Sequence, residues 1–62
     1  MKYTVHEVAK LSGVTIKTLY HYQKVGLLHP DSIANNGYRI YSDRELELLQ
    51  QILFYRELEF PL

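Results

Sequence analysis

The 62-residue sequence contains no cysteine, no tryptophan and only two prolines. Without cysteine, neither a disulfide bond nor a thiolate metal site can stabilise the chain, so its stability must come from one small core. The sequence also lacks a signal peptide and any apolar run that is long enough to cross a membrane. We therefore expect a single domain of a cytoplasmic protein, with no membrane among its partners.

Residue types that carry catalytic chemistry are few and scattered. His6, His21 and His29 do not have the spacing of metal ligands, and no framework of histidine and aspartate marks a serine as a nucleophile. A glycine-rich loop for the phosphates of a nucleotide is also missing. The sequence therefore predicts a protein that is not an enzyme and that needs neither a metal nor a cofactor.

Charge of one sign does not dominate the chain, since seven Lys and Arg balance seven Asp and Glu. The two signs are nevertheless separated along the sequence. Residues 1–42 carry five basic and two acidic side chains, whereas residues 43–62 carry two basic and five acidic ones. This asymmetry predicts a basic working face and an acidic face turned away from it. A basic face suits nucleic acid, although charge alone does not establish DNA binding.

Helix boundaries are marked by residues that satisfy the free backbone groups of a helix end. Thr4 and Ser42 each begin a capping box with a glutamate three residues later, and Thr15 is a plain N-cap. Gly13 and Gly26 stand where a left-handed residue ends a helix. These signals predict helices near 5–11, 16–24 and 43–58, with a turn at 12–14 between the first two.

Two helices joined by a short turn with a glycine are typical of a helix-turn-helix, and also of helical hairpins that bind no DNA. On the second helix, one arc carries basic and aromatic side chains: Lys17, Tyr20, His21 and Lys24. Roughly opposite, towards a core, lie Thr15, Leu19 and Tyr22. The arc predicts either a surface for phosphates and base edges or an ordinary solvated face.

A two-stranded β-hairpin is predicted between the second and third helices. Its turn lies at residues 35–37, where an Asn-Gly pair tolerates the positive φ of a tight turn. Strand alternation puts Tyr38 and Ile40 on one face and Arg39 and Tyr41 on the other. Arg39 then either contacts a DNA backbone or is only a solubilising charged residue at the edge of the hairpin.

Together these patterns predict a mainly α fold with a small β-hairpin, and they predict which side chains form its core. The expected core residues are Val8, Leu11, Val14, Leu19, Tyr22, Leu27, Ile40, Leu46, Leu49 and Leu53.

The order of these motifs resembles the MerR family of transcriptional regulators over essentially the whole chain. The segments that carry the resemblance are 8–15, Thr18-Leu19 with Tyr22, Gly26-Leu27-Leu28 with Pro30, Asn36-Gly37-Tyr38-Arg39 with Tyr41, and Leu46 with Leu49-Gln50. Residues 51–58 resemble in particular the thiostrepton- and multidrug-responsive branch of that family, the TipA-like and Mta-like regulators.

The resemblance implies a winged helix-turn-helix DNA-binding domain over residues 1–62. Its second helix is then the recognition helix in the major groove, capped by Thr15 at an end that suits a phosphate, and the hairpin is a wing on the flanking backbone. The DNA-binding residues expected from the arc and the resemblance are Thr15, Lys17, Tyr20, His21, Lys24, Tyr38 and Arg39.

Regulators of this family bind promoters as dimers and distort the DNA, which realigns two RNA-polymerase elements. The resemblance therefore implies double-stranded promoter DNA as partner, RNA polymerase as an indirect partner, and a homodimer of the full-length parent. The dimerisation helix and C-terminal effector domain of the family are absent from these 62 residues. We expect either a fragment or a small stand-alone relative, whose apolar surface around Leu48, Ile52, Tyr55 and Phe60 would seat the missing helices.

Three features of the sequence depart from the pattern of the family. Tyr20 stands where relatives often have Arg or His, residues 31–34 lack the Arg that many relatives carry before the wing turn, and Glu59 replaces a usual Gly. The first two changes weaken the expected electrostatics of the interface. Glu59 predicts either backbone strain of about 1 kcal/mol or a different helix end.

Two other functions remain compatible with the sequence. A DNA-architectural or excisionase-like protein would have the same fold and the same chemistry. A protein-interaction module would instead present Leu48, Ile52 and Tyr55 to a partner helix, although these residues also fit core positions or the seat of further helices.

Overall fold

Three helices and three short strands form the domain in the computed structural model, which describes residues 1–57. In chain order the elements are β1 (Lys2–Thr4), α1 (Val5–Ser12), α2 (Ile16–Lys24), β2 (Ser32–Ile33), β3 (Arg39–Ser42) and α3 (Asp43–Glu57). The predicted helices and hairpin are confirmed, whereas the expected last helical residue, 58, and Glu59 lie outside the described residues. No described helix is long and apolar enough to span a membrane.

α1 begins and ends as its sequence signals predict. Thr4 Oγ1 accepts a hydrogen bond of 3.2 Å from the amide of Glu7, whose carboxylate accepts one of 2.8 Å from the amide of Thr4. Gly13 follows the helix with a φ of 71°, and its amide donates to the carbonyl of Ala9. Because Gly adopts this left-handed conformation without strain, the chain turns sharply into α2 and the helix-turn-helix forms.

The end of α2 sets the direction in which the chain leaves towards the hairpin. The amide of Gly26 donates to the carbonyl of Gln23 at 3.2 Å, and the amide of Leu27 donates to the carbonyl of Tyr22 at 2.8 Å. This pair of bonds is a Schellman motif, and Gly26 supplies its left-handed residue with a φ of 82°. Leu28 then enters the core and anchors the connection.

The hairpin turn forms where the sequence predicts it. The amide of Ala34 donates to the carbonyl of Tyr38 at 2.7 Å, and the amide of Gly37 donates to the carbonyl of Ala34 at 2.8 Å. Asn36 Oδ1 accepts a further bond of 3.1 Å from the amide of Tyr38. Gly37 has a φ of 87°, which explains why the Asn-Gly signal located this turn correctly.

The hairpin belongs to a three-stranded antiparallel sheet, whereas the sequence predicted only two strands. β3 lies between β1 and β2, with Tyr3 opposite Tyr41 on one side and Ser32 opposite Ile40 on the other. Since β1 leads directly into α1, it ties the base of the hairpin to the first helix.

The core lies between the helices and the inner face of the sheet. Its buried residues are Val5, Val8, Ala9, Leu19, Tyr22, Leu28, Tyr41 and Leu49. Val14, Leu46 and Leu53 are partly buried against this cluster. Most of the predicted core is therefore confirmed, and Tyr41 is its main addition.

Three predicted core residues lie elsewhere. Leu11 is 64% exposed, because α1 turns its valines and its alanine inward and leaves Leu11 at the edge of that face. Leu27 is 43% exposed, and its neighbour Leu28 takes the core position after the turn. Ile40 is only half-buried, since the core packs against the opposite face of β3, which carries Tyr41.

The start of α3 is fastened to both β3 and β1. Glu45 accepts hydrogen bonds from the hydroxyl and the amide of Ser42, and the bond from the hydroxyl is the main reason that the pKa of Glu45 lies below its usual value. Asp43 accepts one bond of 2.9 Å from the amine of Met1 and one of 2.8 Å from the hydroxyl of Tyr3. These two bonds lower the pKa of Asp43, and the bond from the amine has the larger effect.

The hydroxyl of Tyr41 is buried without a hydrogen-bond partner among the described residues. Burial raises the pKa of this hydroxyl, and the positive charge of Arg39 offsets part of the shift. An unsatisfied buried hydroxyl costs about 1–3 kcal/mol, so we expect Tyr41→Phe to increase the free energy of unfolding by about 1 kcal/mol. Urea unfolding measures the difference, with the exposed Tyr38→Phe as a control that stays within about 0.5 kcal/mol. A less stable Tyr41→Phe variant would contradict this expectation and show that the hydroxyl contributes favourably to the folded state.

Candidate nucleic-acid interface

The exposed face of α2 carries positive charge that nothing in the described chain neutralises. Lys17 and Lys24 are exposed, and neither forms an ion pair with a described residue. The two acidic residues that precede α3 are engaged elsewhere, because Glu7 caps α1 and Asp31 forms an ion pair with Lys2. The basic face that the charge asymmetry predicted is therefore present on α2.

Thr15 caps α2 at one end of this face. Its Oγ1 accepts a hydrogen bond of 3.1 Å from the amide of Thr18, and the two hydroxyls lie 2.9 Å apart. Thr15 itself is exposed, although helical periodicity placed it on the core side of α2, and Ile16 in the first turn packs against the core instead. The side chain of Thr15 thus caps the start of α2 and satisfies one of its backbone donors, the amide of Thr18.

Tyr20 and Arg39, predicted as separate contacts on the helix and on the hairpin, touch each other. Arg39 Cζ lies 4.2 Å from the centroid of the Tyr20 ring, which is a cation–π contact. Arg39 Nε also donates a hydrogen bond of 2.5 Å to Gln23 Oε1. Arg39 is half-buried by these contacts, so β3 is fixed to the flank of α2.

The tip of the hairpin reaches α1. The ring of Tyr38 lies 6.2 Å from the ring of His6, measured between centroids, and both side chains are exposed. Tyr38 is therefore on the surface, as predicted, but its neighbour is the first helix. Nothing in the sequence placed His6 beside Tyr38, because their proximity depends on how the hairpin docks against α1.

His21 lies at the border between the basic face and a groove that separates α2 from α3. The groove is lined by Thr18, His21, Tyr22, Val25, Leu27 and Arg56. Among these lining residues, Arg56 Nη1 donates a hydrogen bond of 3.3 Å to the hydroxyl of Tyr22. His21 is exposed, so its imidazole is accessible from the basic face.

Gln23 is a member of this surface that the sequence analysis missed. It follows Tyr20 by three positions on α2, a spacing that puts the two side chains next to each other on one flank of the helix. That spacing was visible in the sequence, but the arrival of Arg39 beside both residues depends on how the hairpin docks. The structure thus joins Tyr20, Gln23 and Arg39 and leaves Lys17 and Lys24 outside this cluster.

The four apolar residues that were expected on the surface, as a seat for further helices, have different outcomes. Ile52 is partly buried against the core, which corrects its expected exposure. Leu48 and Tyr55 are 42% and 55% exposed, as expected. Phe60, the fourth of these residues, lies outside the described part of the chain.

Comparison with known proteins matches residues 4–41 to the model of the MerR family regulatory protein. The chain is 55% identical to the HTH-type transcriptional activator mta of Bacillus subtilis, over all of this chain and 24% of that protein. It is 56% identical to the HTH-type transcriptional activator TipA of Streptomyces coelicolor, again over all of this chain and 24% of that protein. The chain therefore spans about a quarter of the length of these two relatives.

Two solved structures have the same fold. The N-terminal part of the Bacillus subtilis multidrug transporter activator, MtaN, gives a TM-score of 0.91 at 52% identity, over 95% of this chain and 56% of that one. HiNmlR, a MerR family regulator that lacks the sensor domain and was crystallised with promoter DNA, gives a TM-score of 0.88 at 29% identity, over all of this chain and 47% of that one. The predicted winged helix-turn-helix and the resemblance are therefore confirmed, and this chain belongs to the MerR family of regulatory proteins.

Proposed function

We propose that this chain binds double-stranded promoter DNA in a sequence-specific manner and thereby regulates transcription. α2 is the recognition helix in the major groove, and the hairpin of β2 and β3 is a wing that contacts the flanking backbone. The residues proposed to contact DNA, with the helix first and the wing second, are Thr15, Lys17, Tyr20, His21, Lys24, Tyr38 and Arg39.

The observation that carries the proposal is the unneutralised charge on the exposed face of α2, beside a wing that is fixed to the flank of the same helix. Lys17 and Lys24 supply cations without an acidic partner among the described residues, and Arg39 adds a third from the wing. Three cations around one exposed helix match the spaced negative charges of a DNA backbone. The alignment of the whole chain with HiNmlR, which was crystallised on promoter DNA, supports DNA binding by the domain.

The action of the full-length parent is a further part of the proposal. The parent acts in the cytoplasm as a homodimer that distorts the promoter, and it influences RNA polymerase through the DNA, so the domain itself needs no catalytic activity. The names of mta and TipA as transcriptional activators support this role. Because the chain covers only 24% of either relative, the dimerising and effector parts are proposed to lie in the rest of a longer parent.

A salt titration of DNA affinity tests the proposal. Binding to phosphates releases counterions, so the logarithm of the association constant should fall linearly with the logarithm of the salt concentration, by about 0.9 for each phosphate neutralised. We expect this slope for the 62-residue chain on a short duplex of mixed sequence and on a palindromic MerR-type promoter. An affinity that does not depend on salt concentration, or no binding to either duplex at low salt, would contradict the proposal and favour a protein-interaction module.

Lys17→Ala should weaken DNA binding, because Lys17 is an exposed cation of α2 that has no acidic partner among the described residues. If Lys17 contacts a base, we expect a loss of about 1–3 kcal/mol on the specific promoter alone. If it contacts a phosphate, we expect a similar loss on every sequence. Affinities for both duplexes, measured by fluorescence anisotropy, distinguish the two cases.

Arg44→Ala is the matched control, since it removes the same charge from an exposed position in the acidic third helix. Its affinity should stay close to that of the unmodified domain. Equal affinities of Lys17→Ala and the unmodified domain on both duplexes would remove Lys17 from the interface.

A further inference from the structure

We propose that Tyr20 and Gln23 are positioning residues, which hold the guanidinium of Arg39 in place for a phosphate of the DNA backbone. The inference rests on the proposed DNA binding and deepens it. It gives a role to Gln23, which is absent from the proposed set of DNA contacts, and it changes the role of Tyr20 from a separate contact to the support of another one.

The contacts of Arg39 leave its binding edge free. A guanidinium has five N–H donors, and the one on Nε is occupied by Gln23 Oε1 at 2.5 Å. The guanidinium lies over the Tyr20 ring, with Cζ 4.2 Å from the ring centroid. Within the described residues, the four donors on the two terminal nitrogens have no hydrogen-bond partner, so the edge that forms paired bonds to a phosphate remains available.

The two groups that hold Arg39 are neutral. They can therefore position its guanidinium without cancelling its charge. Gln23 offers an amide oxygen and Tyr20 offers a ring face, so neither cancels the charge of Arg39. No described carboxylate forms an ion pair with Arg39. A structural arginine is usually neutralised by a carboxylate, whereas here the full positive charge is kept at a fixed position.

The contacts with Tyr20 and Gln23 also fix the position of the Arg39 charge relative to the recognition helix. Arg39 lies in the paired part of the wing, opposite Ile33, while both supporting residues belong to α2. Ordering one long side chain on binding weakens affinity by about two- to tenfold, and an arginine that is already ordered avoids this loss. Tyr20 and Gln23 should therefore raise affinity for any DNA sequence without touching it.

The test compares substitutions that remove the support with one that removes the charge. Gln23→Met keeps the length of the side chain but lacks the acceptor, and Tyr20→Leu lacks the ring, whereas Tyr20→Phe keeps it. Arg39→Ala removes the cation, and Gln51→Met on the exposed surface of α3 is the matched control. Affinity for a short duplex of mixed sequence is measured across a range of salt concentrations, and circular dichroism verifies that each variant is folded.

We expect Gln23→Met and Tyr20→Leu to lose about two- to tenfold in affinity with an unchanged salt slope, because the charge of Arg39 remains. Tyr20→Phe should lose less affinity than Tyr20→Leu, because it keeps the ring beneath Arg39. Gln51→Met should bind like the unmodified domain. Arg39→Ala should lose affinity and also lower the slope by about 0.9. Since Gln23 acts only through Arg39, the double variant Gln23→Met/Arg39→Ala should bind no more weakly than Arg39→Ala alone.

Several outcomes would overturn the inference. Unchanged affinity of Gln23→Met would show that the hydrogen bond is irrelevant to DNA, and tighter binding would show that Gln23 withholds Arg39 from it. Additive losses in the double variant would mean that Gln23 has a contact of its own. These results leave the proposed function intact, whereas failure of the unmodified domain to bind the duplex at low salt would remove both proposals.

Discussion

Replacing Leu19 with alanine is expected to reduce the free energy of unfolding by about 2–5 kcal/mol. Leu19 has no exposed surface and lies at the centre of the cluster that joins the helices to Tyr41. Its truncation removes buried apolar surface and leaves a cavity that so small a core cannot collapse to fill. Since domains of this size are only marginally stable, the loss is comparable to their whole stability. Thermal unfolding followed by circular dichroism should show a strongly lowered or absent cooperative transition.

Leu11→Ala provides a control with the same chemical change. Leu11 is 64% exposed on α1, so its truncation should alter stability by no more than about 0.5 kcal/mol. The pair separates burial from the intrinsic preference of alanine for helices, because both positions are helical. A Leu19→Ala variant that melts cooperatively near the midpoint of the unmodified domain would show that the core is assigned incorrectly.

Joining two copies of the domain should strengthen DNA binding by about 10²–10⁴-fold. A single copy offers one recognition helix and one wing, and its net charge is zero, so we expect it to bind in the nonspecific range of about 10⁻⁴–10⁻⁶ M at physiological salt. When a coiled coil tethers two copies, binding of the first half-site holds the second copy near its own half-site. The effective concentration of that copy then replaces its free concentration.

The comparison uses one salt concentration and a palindromic MerR-type promoter. A tethered pair in which one copy carries both Lys17→Ala and Arg39→Ala is the control, because it has the same size and the same coiled coil but only one intact interface. This control should bind nearly as weakly as the single domain. Nanomolar binding by a demonstrably monomeric chain, or an intact pair that binds no tighter than the single domain, would contradict the expectation.

Local signals in the sequence predicted the helices and the hairpin, because the features that fix their ends act between near neighbours. Thr4 bonds with Glu7 three residues away, and Gly13 and Gly37 adopt the positive φ that their turns require. Features that depend on docking were not predictable in this way. β1 contains only three residues, and its partner strand lies far along the chain, so no local pattern marked it.

The same distinction explains the errors at the core and at the candidate interface. Alternation along β3 separated Arg39 from Ile40 correctly, but it did not say which face meets the helices. The structure buries the face of Tyr41 and therefore brings Arg39 against α2. Residues of α2 that face the solvent, such as Lys17 and Lys24, were predictable from helical periodicity alone.

The central position of β3 in the sheet has a consequence for the order of folding. Its pairing with β2 joins residues separated by one tight turn, whereas its pairing with β1 joins Lys2 to Ser42 and must close a loop that contains both helices of the helix-turn-helix. Closing the longer loop has the larger entropic cost, so the hairpin and the helical pair should form first, and β1 should add to the sheet last. The first strand in the sequence is thus the last to pair in the sheet. Its amide hydrogens should exchange with solvent sooner than those in the middle of α2.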